Sequence, residues 1–325
     1  MEINAKTFLE SLEKEMKRNK EELYSEQRLL ELKEIAKQYD GEGKVISSLE
    51  LAELMKNEPP EKKIVSGITG LDNILGGFRE RQVIVIAAQT KSGKTSFCID
   101  LTSRLKEENP LWFPFEEGAR ELIQKFIDRK EDPPLFYTPE QTVSNTLNWI
   151  EMKIIESIAK YNSKIVFIDQ LDFIVPFQTE RHDLMIGKTM RDLKGLAKKW
   201  NVCIFLIAHL TKTQMDKQPD LEDLRGSASI AQEADTVMLL WRQMERGVNG
   251  EVVITDKVNL SVQANRRTGK TGNVKLLYDN GKFIEEEWKQ TEPPKNERPW
   301  EKKQREKREQ EAAQVKMELD REINF

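Results

Sequence analysis

The sequence predicts an α/β protein built on a mostly parallel sheet flanked by helices on both faces. Three observations predict it. From Ile64 to about Glu285 short apolar runs recur: RQVIVIAA, LWFPF, SKIVFID, VCIFLIA, ADTVMLLW and NLSVQAN. Between several of them lie stretches of helical periodicity, such as TSFCIDLTSRL and TMRDLKGLAKKW, and strand–helix alternation of this kind covers both faces of a parallel sheet. The run VIVIAA also feeds directly into a Gly-Lys-Thr turn that opens a helix. Such a junction at the carboxyl end of a strand is where open α/β sheets hold ligands.

Ahead of this core, residues 1–62 read as a helical linker or oligomerisation segment. Thr7 to Glu10 spells a capping box, and Leu9, Leu12, Met16, Leu23 and Leu30 then recur at helical spacing until Asp40-Gly41-Glu42-Gly43 stops the run. The apolar stripe is too narrow to form a core alone, so this helix is expected to pack on another subunit or another part of the chain. A second capping box, Ser47 to Glu50, opens the short helix LELAELMK, which the prolines of NEPPEKK end. Residues 63–285 form the α/β domain. Residues 286–325 begin with the proline-rich TEPPKNERP and continue as a highly charged tail with little to bury.

Composition bounds the function. Across 325 residues, 33% are charged and 38% hydrophobic, which fits a soluble protein with polar flanks. VIVIAA and VCIFLIA fall far short of the roughly 18–20 apolar residues that span a bilayer, and the N-terminus has neither the basic start nor the apolar stretch of a secretory signal. A cytoplasmic protein without a membrane partner is expected. Cys98 and Cys203 sit inside apolar runs and read as small core thiols, and no zinc pattern exists. A net charge of −4 excludes a surface that attracts nucleic acid everywhere, though not one local basic loop.

The chemistry concentrates at the turn. Ala88 to Thr95 fits the phosphate-loop pattern GxxxxGK[ST] except that alanine replaces the first glycine. That is tolerable where the residue keeps φ below zero. Backbone N–H groups over Ala88, Lys91, Ser92, Gly93, Lys94, Thr95 and Ser96 would then face a nucleoside triphosphate, ATP or another. Lys94 would reach the β- and γ-phosphates, and the Thr95 hydroxyl would hold Mg²⁺. KIVFID ends in Asp169, placed for the water shell of that Mg²⁺. Glu116 or Glu117 follows the strand LWFPF, where a carboxylate could deprotonate an attacking water or simply cap a helix. His209 closes VCIFLIAH as either a structural histidine or a γ-phosphate contact. Arg266, Arg267 and Lys270 occupy a glycine-flanked turn that is either a solvated basic turn or a source of a cation for a neighbour's nucleotide.

Together these motifs resemble the RecA-like helicase domain of the DnaB-type replicative helicases and of phage primase-helicases, over about Ile64 to Glu285. GITGLDNILGG is similar to the family's opening segment, AAQTKSGKT to its Ala-led phosphate loop, and FEEGARELIQKF to its strand-end glutamate and following helix. KIVFIDQLDFI resembles the magnesium motif, IAHLTK the sensor strand, and NRRTGKTG the arginine-finger turn. DLRGSASIAQEADTVMLL, the most specific of the matches, resembles the DNA-loop segment.

The resemblance implies that Glu116 is the catalytic base and that His209 senses the γ-phosphate. It implies that Arg267 is the finger acting across the subunit boundary, with Arg266 second, while Asn265 replaces a family lysine. Arg225, Gly226 and Ala228 fall in the loop that holds the DNA backbone, Ala228 standing where glycine is common; Lys212 and Lys217 lie nearby. Leu9 to Leu30 is similar to the linker helix that packs on the adjacent subunit. The first 62 residues are too few for the family's separate N-terminal domain, and no zinc-ribbon cysteines suggest a fused primase.

The function implied is an ATP-dependent replicative DNA helicase, a homo-hexameric ring. It would move five-prime to three-prime along single-stranded DNA at a fork, with a separate primase and helicase loader as partners. Two alternatives use the same motifs: a RecA- or KaiC-like DNA-dependent ATPase that forms filaments, and a nucleotide-switched loader or scaffold.

Overall fold

The computed structural model describes residues 45–57, 62–90, 92–128, 133–175, 182–210, 218–224, 226–246 and 252–286. The expected helix at Leu9–Leu30, the charged tail, Lys91, Lys212, Lys217 and Arg225 lie outside the described residues. Residue contacts divide the chain into two units, Met1–Glu61 and Lys62–Phe325.

In the first unit, helix α1 (Ser48–Asn57) starts at the expected capping box. Glu50 N donates to Ser47 Oγ at 3.1 Å, and Ser47 N donates to Glu50 Oε2 at 2.9 Å. The two bonds satisfy free donors at the helix start reciprocally. Leu51, Leu54 and Met55 are all exposed.

The second unit is a single eight-stranded sheet in the order β2-β3-β4-β1-β5-β6-β7-β8. The strands are β1 (Val83–Ala88), β2 (Leu111–Pro114), β3 (Ile165–Asp169), β4 (Cys203–His209), β5 (Thr236–Arg246), β6 (Val252–Asn265), β7 (Gly272–Asp279) and β8 (Lys282–Glu285). The first five in sheet order pair in parallel, whereas β6, β7 and β8 are added antiparallel. The expectation of a mostly parallel sheet holds, with an antiparallel flank that the apolar runs did not announce.

Helices α2 (Thr69–Leu75), α3 (Lys94–Arg104) and α4 (Ala119–Asp128) cover one face; α5 (Leu147–Tyr161), α6 (Leu171–Ile174), α7 (His182–Trp200) and α8 (Ser227–Glu233) cover the other. Every residue of β1 is buried, with Ile84, Ile86 and Ala88 facing the first layer and Val83, Val85 and Ala87 the second. Burial on both faces is why this strand reads as one unbroken apolar run. Trp112, Phe167 and Phe205 stack across three strands at centroid spacings of 4.7 and 4.9 Å, and the indole N–H of Trp112 is satisfied by Thr102 Oγ1 at 2.9 Å. Aromatic rows of this kind add directional contacts to the area they bury. Cys98 and Cys203 are free and fully buried.

The last strand closes back on the helix of the phosphate loop. Arg104 Nη2 donates to Phe283 O at 2.8 Å, Phe283 N to Asp100 Oδ2 at 3.3 Å, and Gly70 N to Glu285 Oε1 at 2.9 Å. Phe97 and Phe283 meet edge to face at 5.2 Å. Among the described residues no helix is long and apolar enough to cross a membrane.

Candidate active site

β1 ends at Ala88, extended and fully buried, so alanine at the head of the loop meets no backbone penalty. Gly93 then takes φ +91° as the N-cap of α3, a left-handed conformation that a side chain would strain. The turn closes through Ser92 N donating to Gln89 O at 3.2 Å and Phe97 N donating to Gly93 O at 2.8 Å.

Lys94 and Thr95, the first two residues of α3, are thereby aimed at the ends of the neighbouring strands. Lys94 is buried, with Nζ 2.9 Å from Nδ1 of His209 at the end of β4. Thr95 Oγ1 donates to Asp169 Oδ2, at the end of β3, at 3.1 Å. Glu116 enters from β2, its N–H donating to Asp169 O at 3.0 Å. Five residues read from separate motifs thus converge, because parallel pairing aligns the carboxyl ends of β1 to β4.

Electrostatics follow from this crowding. Burial above all, and then the Glu116 charge, push the Asp169 carboxyl up to about 6. Burial lowers the Lys94 ammonium from its usual range despite Glu116 and Asp169 nearby. His209 is lowered too, by burial first and by Lys94 second. Asp169 Oδ1 is buried without a hydrogen-bond partner, and such an orphan calls for a cation or an ordered water. Among the described residues no three His, Cys, Asp or Glu side chains cluster as a metal cage. One carboxylate, one hydroxyl and an adjacent phosphate loop fit Mg²⁺, which keeps several waters and takes phosphate oxygens as ligands.

The cavity over this cluster has a volume of about 320 Å³. Sequence reasoning missed part of its wall: Lys125, Arg242, Tyr278 and Phe283 also line it. Lys125 forms an ion pair with Glu117, which sets Glu117 apart from Glu116. The Arg242 guanidinium lies 4.9 Å from the Tyr278 ring centroid and is held by Thr255 O and Asp256 Oδ1, each at 3.1 Å. A flat guanidinium against an aromatic ring offers a stacking surface. Arg242 lies beyond the carboxyl end of the parallel part of β5, whereas Tyr278 and Phe283 sit on the antiparallel flank, whose register brings them to the cavity.

The predicted arginine turn lies elsewhere. Asn265 is paired with Thr236, which is level with Ile84 near the start of β1, so the turn occupies the sheet edge opposite the phosphate loop. Asn265 Oδ1 accepts from the N–H groups of Arg267 and Thr268 at 3.3 Å each, while Asn265 Nδ2 donates to Ile74 O at 3.3 Å. The Arg266 guanidinium bonds to Gln232 O. Arg267 is exposed, and its side chain has no partner among the described residues. At the predicted DNA loop, Gly226 takes φ +70°, and a Cβ there would meet Ile186 Cδ1 at 2.6 Å. Ala228 is exposed on the first turn of α8.

A family model described as the DnaB-like helicase C terminal domain matches residues 63–135 and 134–284. The chain belongs to this family. "Replicative DNA helicase DnaB" of Rickettsia prowazekii (strain Madrid E) is 27% identical over 286 residues, covering 70% of this chain and 58% of that protein. The protein of the same description from Mycoplasma pneumoniae is 26% identical, covering 71% and 58%. The chain therefore spans less than two thirds of the length of these DnaB relatives. A solved structure described as an ATPase domain superimposes with a TM-score of 0.61 at 22% identity, over 73% of this chain and 96% of that one. A DnaB-like replicative helicase, solved in a study that includes its interactions with primase, gives 0.60 at 21%, over 86% and 76%. Both likenesses show the fold.

Proposed function

We propose that the chain is the motor of an ATP-driven replicative DNA helicase, its nucleotide site shared between adjacent copies in a ring. The observation that carries this reading is the separation of two half-sites. Lys94, Thr95, Glu116, Asp169 and His209 gather at one edge of the sheet. Arg267 stands unpartnered, among the described residues, at the other. An arginine there cannot reach its own chain's phosphates, but it can complete those of the next copy.

In this reading Lys94 binds the β- and γ-phosphates, the backbone from Ala88 to Ser96 cradles them, and Thr95 and Asp169 hold Mg²⁺. The ion, when bound, neutralises charge on the phosphate oxygens. Glu116 orients and deprotonates the attacking water, and His209 reports on the γ-phosphate. Arg242 and Tyr278 receive the base. Arg267 of the next copy stabilises the charge that develops during cleavage, so hydrolysis alters the fit between neighbours. The loop of Arg225, Gly226 and Ala228, with Lys212, holds the DNA backbone by contacts that carry no sequence preference. A homo-hexamer, five-prime to three-prime movement, and a primase and a loader as partners are proposed on the resemblance to the family.

Unwinding of a forked DNA, with Lys94→Ala as the control, tests the reading alongside particle imaging with nucleotide. ATP-dependent unwinding by closed rings supports it. Open helical polymers would favour the filament-forming ATPase. A protein that stays monomeric with nucleotide and single-stranded DNA refutes the shared site.

A further inference from the structure

Helix α8 joins the two edges of the sheet. On its N-terminal side Leu224 bridges Leu210, the residue after His209, and Gly226 is seated on Ile186 of α7. Ser229 Oγ donates to Asp183 O at 3.2 Å, fixing the helix flank. Its C-terminal side runs into Asp235 at the opposite edge. There Asp235 N donates to Val83 O at 2.9 Å, Val83 N donates to Asp235 Oδ2 at 2.7 Å, and Lys194 forms an ion pair with the same carboxylate.

The arginine turn is bonded to this end of α8 twice. Arg266 N donates to Asp235 O at 2.8 Å, and the Arg266 guanidinium caps Gln232 O in the last helical turn. Final-turn carbonyls lack intrahelical partners and carry the negative end of the helix dipole, so a cation is favoured there. The backbone bond survives truncation of the side chain; the guanidinium bond does not.

We infer that Arg266 is a positioning residue: it clamps the Arg267 turn to the C-terminus of α8, so that engagement of DNA at Gly226–Ala228 sets where Arg267 stands in the neighbouring nucleotide site. This rests on the shared-site reading above. The helix acts as a strut about 10 Å long, with the DNA loop at one end and the finger turn at the other. Arg266 and Arg267, adjacent in sequence, thereby divide two tasks, one facing inward to the strut and one outward to the next copy.

The test compares the full chain with Arg266→Ala, Arg266→Lys and Arg267→Ala, measuring ATP hydrolysis with and without an oligothymidylate, its binding affinity, and thermal melting. For Arg266→Ala the ratio of stimulated to unstimulated hydrolysis is expected to fall about fivefold or more, with oligothymidylate affinity and melting close to wild type. Arg266→Lys, which keeps a cation for Gln232 O, is expected to restore most of the ratio. A ratio unchanged in Arg266→Ala, or one that Arg266→Lys fails to raise, overturns the clamp. Lost affinity in proportion to lost stimulation overturns it as well, by making Arg266 a DNA contact. Failure of the parent reading shows elsewhere: wild type would ignore the oligothymidylate, or Arg267→Ala would hydrolyse ATP as wild type does.

Discussion

Lys94 Nζ lies 2.9 Å from His209 Nδ1, so the last residue of β4 holds the lysine of the phosphate loop. An ammonium has donors only, which makes Nδ1 the acceptor and places the imidazole proton on Nε2. That arrangement agrees with the lowering that burial and then Lys94 impose on the imidazole. In the proposed function an arriving phosphate would compete for Lys94 and release the imidazole. In steady-state ATPase assays His209→Ala is expected to lower kcat about 10- to 100-fold. His209→Gln, which keeps a polar group at the strand end, should retain most of the rate, and equal losses in both would leave His209 a packing residue.

Asp169 is 3% exposed, and its carboxyl is pushed up to about 6 by burial and then by Glu116. A folded-state value above the unfolded one means that ionisation opposes folding. The cost is absent below about pH 4, grows as pH rises through the window between the two values, and is complete above about pH 6. Asp169→Asn is thus expected to raise stability without Mg²⁺ at pH 7 by roughly 1–2 kcal/mol, less than the full shift because the Thr95 hydroxyl loses its anionic acceptor. The gain should vanish near pH 4 while hydrolysis is lost at every pH. Urea melts across that range check the sign.

Glu116 and Glu117 are neighbours with different surroundings. Lys125 neutralises Glu117, whereas Glu116 is held by its backbone against Asp169. Glu116→Gln is expected to cut kcat about 10²- to 10⁴-fold with little change in KM. Glu117→Gln, which removes one exposed ion pair, should change kcat by less than about threefold. The reverse order would exchange the two roles.

Arg242 and Tyr278 meet at the cavity wall. Loss of a contact made equally in ground and transition states raises KM and spares kcat. Arg242→Ala and Tyr278→Ala are each expected to raise KM for ATP about three- to tenfold. A fall in kcat at constant KM would move the pair from base binding to the chemistry.

What the sequence disclosed, and what it did not, follows from burial and register. β1 and β4 lie between two helical layers, so VIVIAA and VCIFLIA stand out as unbroken runs, and the motif residues at their ends could be placed before any coordinates. β7 alternates buried and exposed residues, and β8 has four residues, so neither rises above the surrounding polar sequence. Tyr278 and Phe283 belong to that flank, and their place at the cavity depends on antiparallel register, which no local motif encodes. Arg242 directly follows the run ADTVMLLW on β5, but nothing local marks it as a partner of Tyr278. Helix α5 was likewise not anticipated, although Thr146 caps it by accepting from Trp149 N at 3.4 Å. The choice between Arg266 and Arg267 turns on a carbonyl 34 residues away in the chain, beyond the reach of any short pattern.

The closing of β8 on α3 bears on how the pocket is assembled. Asp100 and Phe283 are 183 residues apart, yet Phe283 both braces the helix behind the phosphate loop and lines the cavity in front of it. The loop's helix and its brace are thus distant in sequence and adjacent in space. The wall of the cavity and the brace behind its loop therefore form together, only once β8 has paired with β7 and Phe283 has met Phe97, so the pocket is a product of long-range closure rather than of its local motif.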